Sequence, residues 1–271
     1  GFMSPFVWMF IKTYEKLREF IIRNKSITTL IQMEYSAFEE ATVPICSFVL
    51  QNKKSDEAGL YFRLSDFKGG MEVQRQKVLE AIDNPDCGYF YEAQQSNFSK
   101  IPGSPVAYWV SEHLLSAFNN VTLYNHSISP SQNVTGNNAK YVRKHWEIAA
   151  LKIDHKDSWI FYAKGGGYRK WWGNLEDVVD WTPAARNIYQ YGDGVHASQI
   201  INPNYWYKRG ITWGLITSAT PSFRIMPEGA TYDKGGSTII VDNEVFDFSL
   251  ALLNSKIYVE IARILNPTLN F

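Results

Sequence analysis

Three consecutive glycines, Gly165-Gly166-Gly167, constrain this chain more than any other feature of it. Without Cβ atoms the backbone there lies bare and conformationally free, so another segment of chain or a phosphate can approach it closely. Beside the glycines stand Lys164, Arg169 and Lys170, which can neutralise phosphates. Tyr168, Trp171 and Trp172 offer flat faces for stacking. Gly173-Asn174 closes the run. Upstream, Thr135-Gly136-Asn137-Asn138 leads into Tyr141, Arg143, Lys144 and Trp146. Small, cationic and flat residues interleaved in this way suit a nucleic-acid surface. The plainer alternative is a Gly-rich hairpin whose aromatics fill a core and whose lysines sit in water.

The charge total qualifies that reading. Lys+Arg number 27 and Asp+Glu number 27, so the net charge is zero. A generic polyanion binder is basic as a whole, so any contact with DNA must come from local clusters. At 271 residues the chain can hold one large domain or two smaller ones, and 45% hydrophobic residues supply a sizeable core. Cys46 and Cys87 are too few for a disulfide framework or a thiolate metal site, and a cytoplasmic location is expected. The apolar start, Gly1 to Ile11, lacks a basic leader and a cleavage site and is too short to span a bilayer. No membrane association is expected. The sequons at Asn97, Asn120, Asn125 and Asn133 read as chance in an Asn-rich chain. With no initiator Met and an apolar first run, the chain reads as a piece of something longer.

Taken in order, Phe2 to Met9 reads as a buried strand with its continuation, and Tyr14 to Asn24 as an amphipathic helix. Thr28 to Met33 and Val43 to Gln51 read as strands. Strand, helix, strand, loop, strand suits the closing half of an α/β domain. Gly70 to Ile82 reads as a surface helix. Lys100-Ile101-Pro102-Gly103-Ser104-Pro105 reads as a punctuated linker, which places the domains at 1–98 and 99–271. Aromatic-rich short strands follow at Trp159–Ala163, Ile211–Ser218, Ser222–Ile225 and Thr238–Val241. A single helical stripe is expected from Phe248 to Leu265.

Several motifs invite over-reading. Asn202-Pro203-Asn204-Tyr205 resembles the Asn-Pro-Pro-Tyr signature of amino-methyltransferases, but Asn204 replaces the second proline and a turn is expected. The triple glycine is neither a dinucleotide fingerprint nor a P-loop. His113, His126, His145, His155 and His196 show no metal-like pairing. No metal is expected, and no Ser/His/Asp set has a local signature. Phe38, flanked by Glu39 and Glu40 before a buried strand, could stack on an out-turned base or simply pack its loop.

Taken together, the chain resembles the C-terminal portion of adenine-specific DNA methyltransferases of the BREX phage-defence (PglX-like) type, relatives of the fused type IIG restriction-modification enzymes. Gly1-Phe2-Met3-Ser4-Pro5 resembles the strand after that family's catalytic motif. Glu15-Lys16-Leu17-Arg18 with Ile27 to Leu50 resembles the next helix and strands. Thr135-Gly136-Asn137-Asn138 with Arg143 and Trp146, and the run from Lys164 to Asn174, resemble the opening of its target-recognition domain. Asp233 to Thr238 and Leu252-Leu253-Asn254-Ser255-Lys256 resemble later segments.

The resemblance implies a mixed α/β fold, in which the closing half of a Rossmann-like methyltransferase sheet is followed by an α+β target-recognition domain. It implies a parent that transfers a methyl group from S-adenosylmethionine to adenine in double-stranded DNA, alongside other defence-system proteins. The cofactor-binding and Asn-Pro-Pro-Tyr motifs are expected upstream of Gly1, so this chain alone is expected to bind no cofactor and transfer nothing. Phe38 matches the aromatic that stacks on the flipped adenine. Lys140, Arg143, Lys144, Lys164, Arg169, Lys170, Lys208 and Arg209 are the expected phosphate contacts, with Trp171 beside them. Asn137, Asn138, Tyr168 and Arg169 are the expected neighbours of base edges. A non-catalytic DNA-specificity subunit is the principal alternative. A carbohydrate-binding module is weaker, because Lys and Arg stand beside the aromatics.

Overall fold

β1 (Phe2–Pro5) leads through two 3-10 turns into α1 (Glu15–Asn24) and back into β2 (Ser26–Gln32). The structure is a computed structural model and describes residues 1–35, 43–153, 156–215 and 220–265. Two compact units emerge, Gly1–Val121 with the helical residues from Ile264, and Thr122–Arg263. The chain is mixed α/β, as expected. Among the described residues no helix is long and apolar enough to cross a membrane.

The first unit adds β3 (Ile45–Gln51), β4 (Gly59–Arg63), α2 (Gly70–Asp83), β5 (Phe90–Ala93) and α3 (Glu112–Ala117). Its five strands lie in the order β1-β3-β2-β4-β5. β3 is antiparallel to both β1 and β2, so those two run the same way with β3 inserted between them. β4 is parallel to β2 and β5 is antiparallel to β4. Met9, Leu30, Cys46 and Tyr61 are fully enclosed, packed with Trp8, Phe48, Phe98 and Tyr108.

Two expectations fail here for physical reasons. Phe2 and Met3, expected inside a buried strand, are 58% and 56% exposed: β1 is an edge strand, and since successive side chains point to opposite faces, neither face is fully covered there. Helix α1 also departs from its expected amphipathic pattern. Leu17 and Phe20 are exposed, whereas Arg18 is buried to 1% exposure. The Arg18 Nη1 donates to the carbonyls of Trp8 and Ile11, both at 2.8 Å. Its Nη2 reaches Gly103 O at 2.6 Å and its Nε reaches Ser104 O at 3.1 Å. A guanidinium carries five donors in a fixed fork, and here it gathers four carbonyls from two segments. The Lys100–Pro105 stretch is therefore no free linker: Ile101 and Val106 are buried in this unit and Gly103-Ser104 caps Arg18.

The second unit contains β6 (Ser127–Ile128), α4 (Asn138–Tyr141), β7 (Val142–Lys144), β8 (Trp159–Ala163), β9 (Asp177–Asp180) and α5 (Pro183–Tyr191). β10 (Gly210–Trp213), β11 (Phe223–Met226), β12 (Thr231–Tyr232) and β13 (Thr238–Val241) come next, then α6 (Phe246–Leu253) and α7 (Lys256–Leu265). The strands form two four-stranded sheets, β11-β10-β13-β6 and β12-β8-β9-β7. One face of the first buries Ile211, Phe223 and Val241 against Phe246, Leu250 and Leu253. The second packs Ile160, Tyr162 and Val179 with Trp181, Tyr141 and Tyr189.

The stripe expected as one helix over Phe248–Leu265 is two helices, and Asn254 is the reason. Its Oδ1 accepts Phe223 N–H at 3.1 Å, and its Nδ2 donates to Phe223 O at 2.8 Å and Leu250 O at 3.1 Å. The amide side chain thus grips strand β11 and the end of α6, which breaks the helix between α6 and α7. Asn254→Ala removes all three bonds and leaves the buried Phe223 N–H without its acceptor, while Phe223 O and Leu250 O keep the backbone donors Trp171 N and Asn254 N. It is expected to lower the unfolding free energy by about 2–3 kcal/mol in a urea titration, through the midpoint rather than the slope.

Candidate nucleic-acid interface

The register of the sheet β12-β8-β9-β7 decides which loops meet. Asp177 stands opposite both Lys144 of β7 and Tyr162 of β8, and Tyr232 of β12 stands opposite Ala163. The C-terminal ends of β7, β8 and β12 therefore emerge at one end of the sheet. His145 and Trp146 leave from β7, Lys164 to Asn174 from β8, and Asp233 to Ser237 from β12.

At that end the glycines are used against the chain itself. Gly165 and Gly166 have φ of +84° and +102°. A Cβ on Gly165 would strike the Gly235 carbonyl oxygen, and one on Gly236 would strike the Ala163 carbonyl oxygen. The two glycine segments cross backbone to backbone. Lys164 Nζ reaches Asp233 Oδ2 at 2.8 Å across the crossing, and Asp233 Oδ1 accepts Gly236 N–H at 3.1 Å. Beneath it Arg224, 1% exposed, donates from Nη2 to Gly165 O at 2.8 Å. Its Nη1 has no hydrogen-bond partner among the described residues. Burial first, and then the charge of Arg169, lowers the pKa of this guanidinium from its ordinary value.

Beyond the glycines the loop is pinned at every turn. Asn174 Nδ2 donates to Gly167 O at 2.8 Å, Arg169 N to Ser222 Oγ at 3.1 Å, and Lys170 Nζ to Asn254 O at 2.7 Å. Trp171 N donates to Phe223 O and Trp171 O accepts from Ile225 N, both at 2.9 Å. The bulky Trp171 has φ of +74°. Tyr168, Trp171 and Trp172 remain 62%, 51% and 57% exposed.

The other expected residues fall into three groups. Several cations are already engaged. Lys144 lies 3.3 Å from both Glu176 and Asp177, Lys164 is paired with Asp233, and Lys170 is held by Asn254 O. Arg143 Nη1 donates to Ala139 O and Val142 O, both at 2.7 Å. Arg209 pairs with Asp247 at 3.3 Å and lies over the Phe246 ring at 3.6 Å. By contrast, Lys140, Arg169 and Lys208 have no carboxylate partner among the described residues, although Lys140 sits over the Tyr141 ring at 4.9 Å. Lys208 and Arg209 precede β10 at its Gly210 end, while Trp171 runs beside Arg224, which is opposite Thr212 further along that strand. Asn137 caps α4 by accepting Lys140 N–H on its Oδ1 at 3.1 Å, and Asn138 Oδ1 accepts Thr135 Oγ1 at 2.6 Å. Each Nδ2 is left without a partner among the described residues. Phe38 and His155 lie outside the described residues.

Sequence reasoning missed Arg224, Asp233 and the role of Asn254. The twin glycine runs, Lys-Gly-Gly-Gly and Asp-Lys-Gly-Gly, were the available signal for the crossing. Asn202 to Tyr205 is the expected turn, with Asn202 Oδ1 accepting Asn204 N–H at 2.9 Å. Asn133, at 2% exposure, spends its side chain on Thr231, Tyr232 and Ile201. Among the described residues no group of three or more His, Cys, Asp or Glu is placed to hold a metal ion.

The first unit contains a groove of about 620 Å³ lined by Phe2, Val7, Trp8, Phe20 and Phe48, with Ser4, Lys25 and Asn52 as its polar members. It presents no carboxylate to an ammonium group or a ribose. It does not fit S-adenosylmethionine.

No family model matches the chain. Among curated proteins, however, the chain is similar to adenine-specific methyltransferases along almost its whole length. It is 34% identical to the adenine-specific methyltransferase PglX of Lacticaseibacillus casei (strain Zhang), a match that covers 97% of this chain and 23% of that protein. It is 27% identical to the adenine-specific methyltransferase BrxX of Escherichia coli O9:H4 (strain HS), covering 97% of this chain and 22% of that protein. The chain thus spans less than a quarter of the length of these relatives.

The crossing yields a contrast between neighbouring glycines. Gly165→Ala forces a Cβ into a backbone carbonyl at positive φ and is expected to cost at least about 2 kcal/mol of stability. Gly167→Ala meets nothing within 4 Å and is expected to stay within about 0.5 kcal/mol of wild type in the same denaturant titration.

Proposed function

We propose that this chain is the C-terminal part of an S-adenosylmethionine-dependent, adenine-specific DNA methyltransferase of the BREX PglX kind, where it recognises and positions the DNA target. The observation that carries the reading is the juxtaposition at one end of the β12-β8-β9-β7 sheet. There a pinned loop shows three aromatic rings and the cation Arg169, which has no carboxylate partner among the described residues, in a chain similar to adenine-specific methyltransferases.

The first unit supports the same reading. β1, α1 and β2 form a crossover between parallel strands, with antiparallel β3 filling the position between them. Only β2 and β4 are parallel neighbours and β5 is antiparallel as well, so the sheet is mixed, an arrangement common in α/β domains. Residues 1–98, within the first unit, are read as the closing part of the Rossmann-like methyltransferase sheet, and the second unit, from Thr122, as the target-recognition domain, which moves the boundary on from the residue 99 that the sequence suggests. That strand-helix-strand start also disfavours a free-standing specificity subunit, which has no use for part of a methyltransferase sheet.

In this reading the partner is double-stranded DNA in the cytoplasm, within a phage-defence or restriction-modification setting that includes other proteins. Phosphates are met by Arg169, Lys140 and Lys208, whose charges no carboxylate among the described residues neutralises. The other expected cations position loops. Asn137 and Asn138 offer amide donors, and Tyr168 and Trp171 offer stacking faces. S-adenosylmethionine is held by parts of the parent outside this sequence. The 271-residue chain by itself transfers no methyl group.

Fluorescence anisotropy of a mixed-sequence duplex over a salt series tests the DNA reading. Binding is expected to weaken steeply with salt. Arg169→Ala is expected to flatten the log-log slope by about one unit, whereas Lys164→Ala, which breaks a protein ion pair, is expected to lower the melting temperature more than the slope. Absence of binding at low salt would overturn the reading. Methyl incorporation into DNA by the isolated chain would overturn the statement that it is inactive alone.

A further inference from the structure

Trp171 is held in a conformation that tryptophan disfavours. Its φ of +74° lies in the left-handed region, where a bulky residue is a genuine outlier and a glycine would turn the chain freely. Nor does the ring fill a core, since the residue is 51% exposed. The backbone around it is fixed, because its N–H and C=O are both bonded to β11, through Phe223 O and Ile225 N. Trp172, next in the chain, is 57% exposed. The loop therefore displays indole rings from a rigid base, and Arg169, beside them, has no carboxylate partner among the described residues.

A ring displayed from a fixed backbone loses little freedom when it finds a partner. In an intact duplex, however, base faces are covered by their neighbours above and below. An indole can stack on one only where a step has opened, as apolar wedges do when they enter between bases.

We propose that Trp171 is a wedge that inserts at an unstacked base step of bound DNA, so that this chain prefers duplex that is already locally unpaired. The inference rests on the DNA-binding reading above. It adds the form of DNA that the loop selects and the residue that makes the selection.

The test compares two labelled duplexes of equal length, one fully matched and one with a single central mismatch, bound to the full chain by anisotropy. Wild type is expected to bind the mismatched duplex on the order of tenfold more tightly, the scale of one base–aromatic stacking contact. Trp171→Gly, which relieves the left-handed backbone and is expected to keep or raise the melting temperature, brings the two affinities together. Trp171→Phe, which keeps a ring, retains part of the preference. Salt-dependent binding of both duplexes with equal affinity by wild type would overturn the wedge and leave the DNA reading standing. An undiminished preference in Trp171→Gly would also overturn it. Failure to bind either duplex at low salt would overturn the DNA reading and the wedge with it.

Discussion

The second unit depends on two glycine segments that pass each other at backbone distance. Where Gly165 meets Gly235 and Gly236 meets Ala163, no side chain fits between the strands, so the approach is set by the peptide groups themselves. The Lys164–Asp233 ion pair and the Arg224 guanidinium then lock the crossing from two sides. Arg224 does so as a buried cation with no carboxylate among the described residues, and the Gly165 carbonyl that accepts from it offsets part of the cost of burying the charge. From this crossing the aromatic loop takes its origin. Its tryptophans are placed relative to β8, β11 and β12 together rather than by the loop's own sequence.

The first unit solves a different problem by a related device. Arg18 gathers the carbonyls of Trp8, Ile11, Gly103 and Ser104, and so ties the turns after β1 to a segment some ninety residues later along the chain. A charged group in the interior is costly unless its donors are met, and here they are met by irregular backbone that has no ladder partners of its own. The exposed side of β1, with Phe2 and Met3 open to solvent, is where this unit is least finished.

Much of this was legible in the residues. Helices at Glu15–Asn24 and Gly70–Asp83 and strands at Trp159–Ala163 and Thr238–Val241 followed from periodicity and punctuation, within a residue or two. What periodicity could not show was any element whose boundary is set by a side chain from elsewhere. Arg18 on an apparently polar helix face is buried because distant carbonyls need it. Phe248–Leu265 is interrupted because Asn254 serves β11. Lys100–Pro105 reads as a linker from its Pro and Gly, yet its neighbours Val106 and Tyr108 are core. The site was half legible for the same reason. The sequence marks Lys144, Lys164 and Lys170 as available cations, but Glu176, Asp177, Asp233 and Asn254 O, distant in the chain, already engage them.

Asn254 also links the loop to the rest of its unit. Its side chain holds both backbone groups of Phe223, the same residue whose carbonyl accepts from Trp171, while its own carbonyl receives the Lys170 ammonium. Loop, strand and helix end thus share one small cluster of bonds, and none can open without releasing the others. Although it lies at the surface, the Trp171 amide belongs to the cooperative opening of α6 and β11 rather than to local fraying. Its hydrogen should exchange with solvent as slowly as those of the strand it borders.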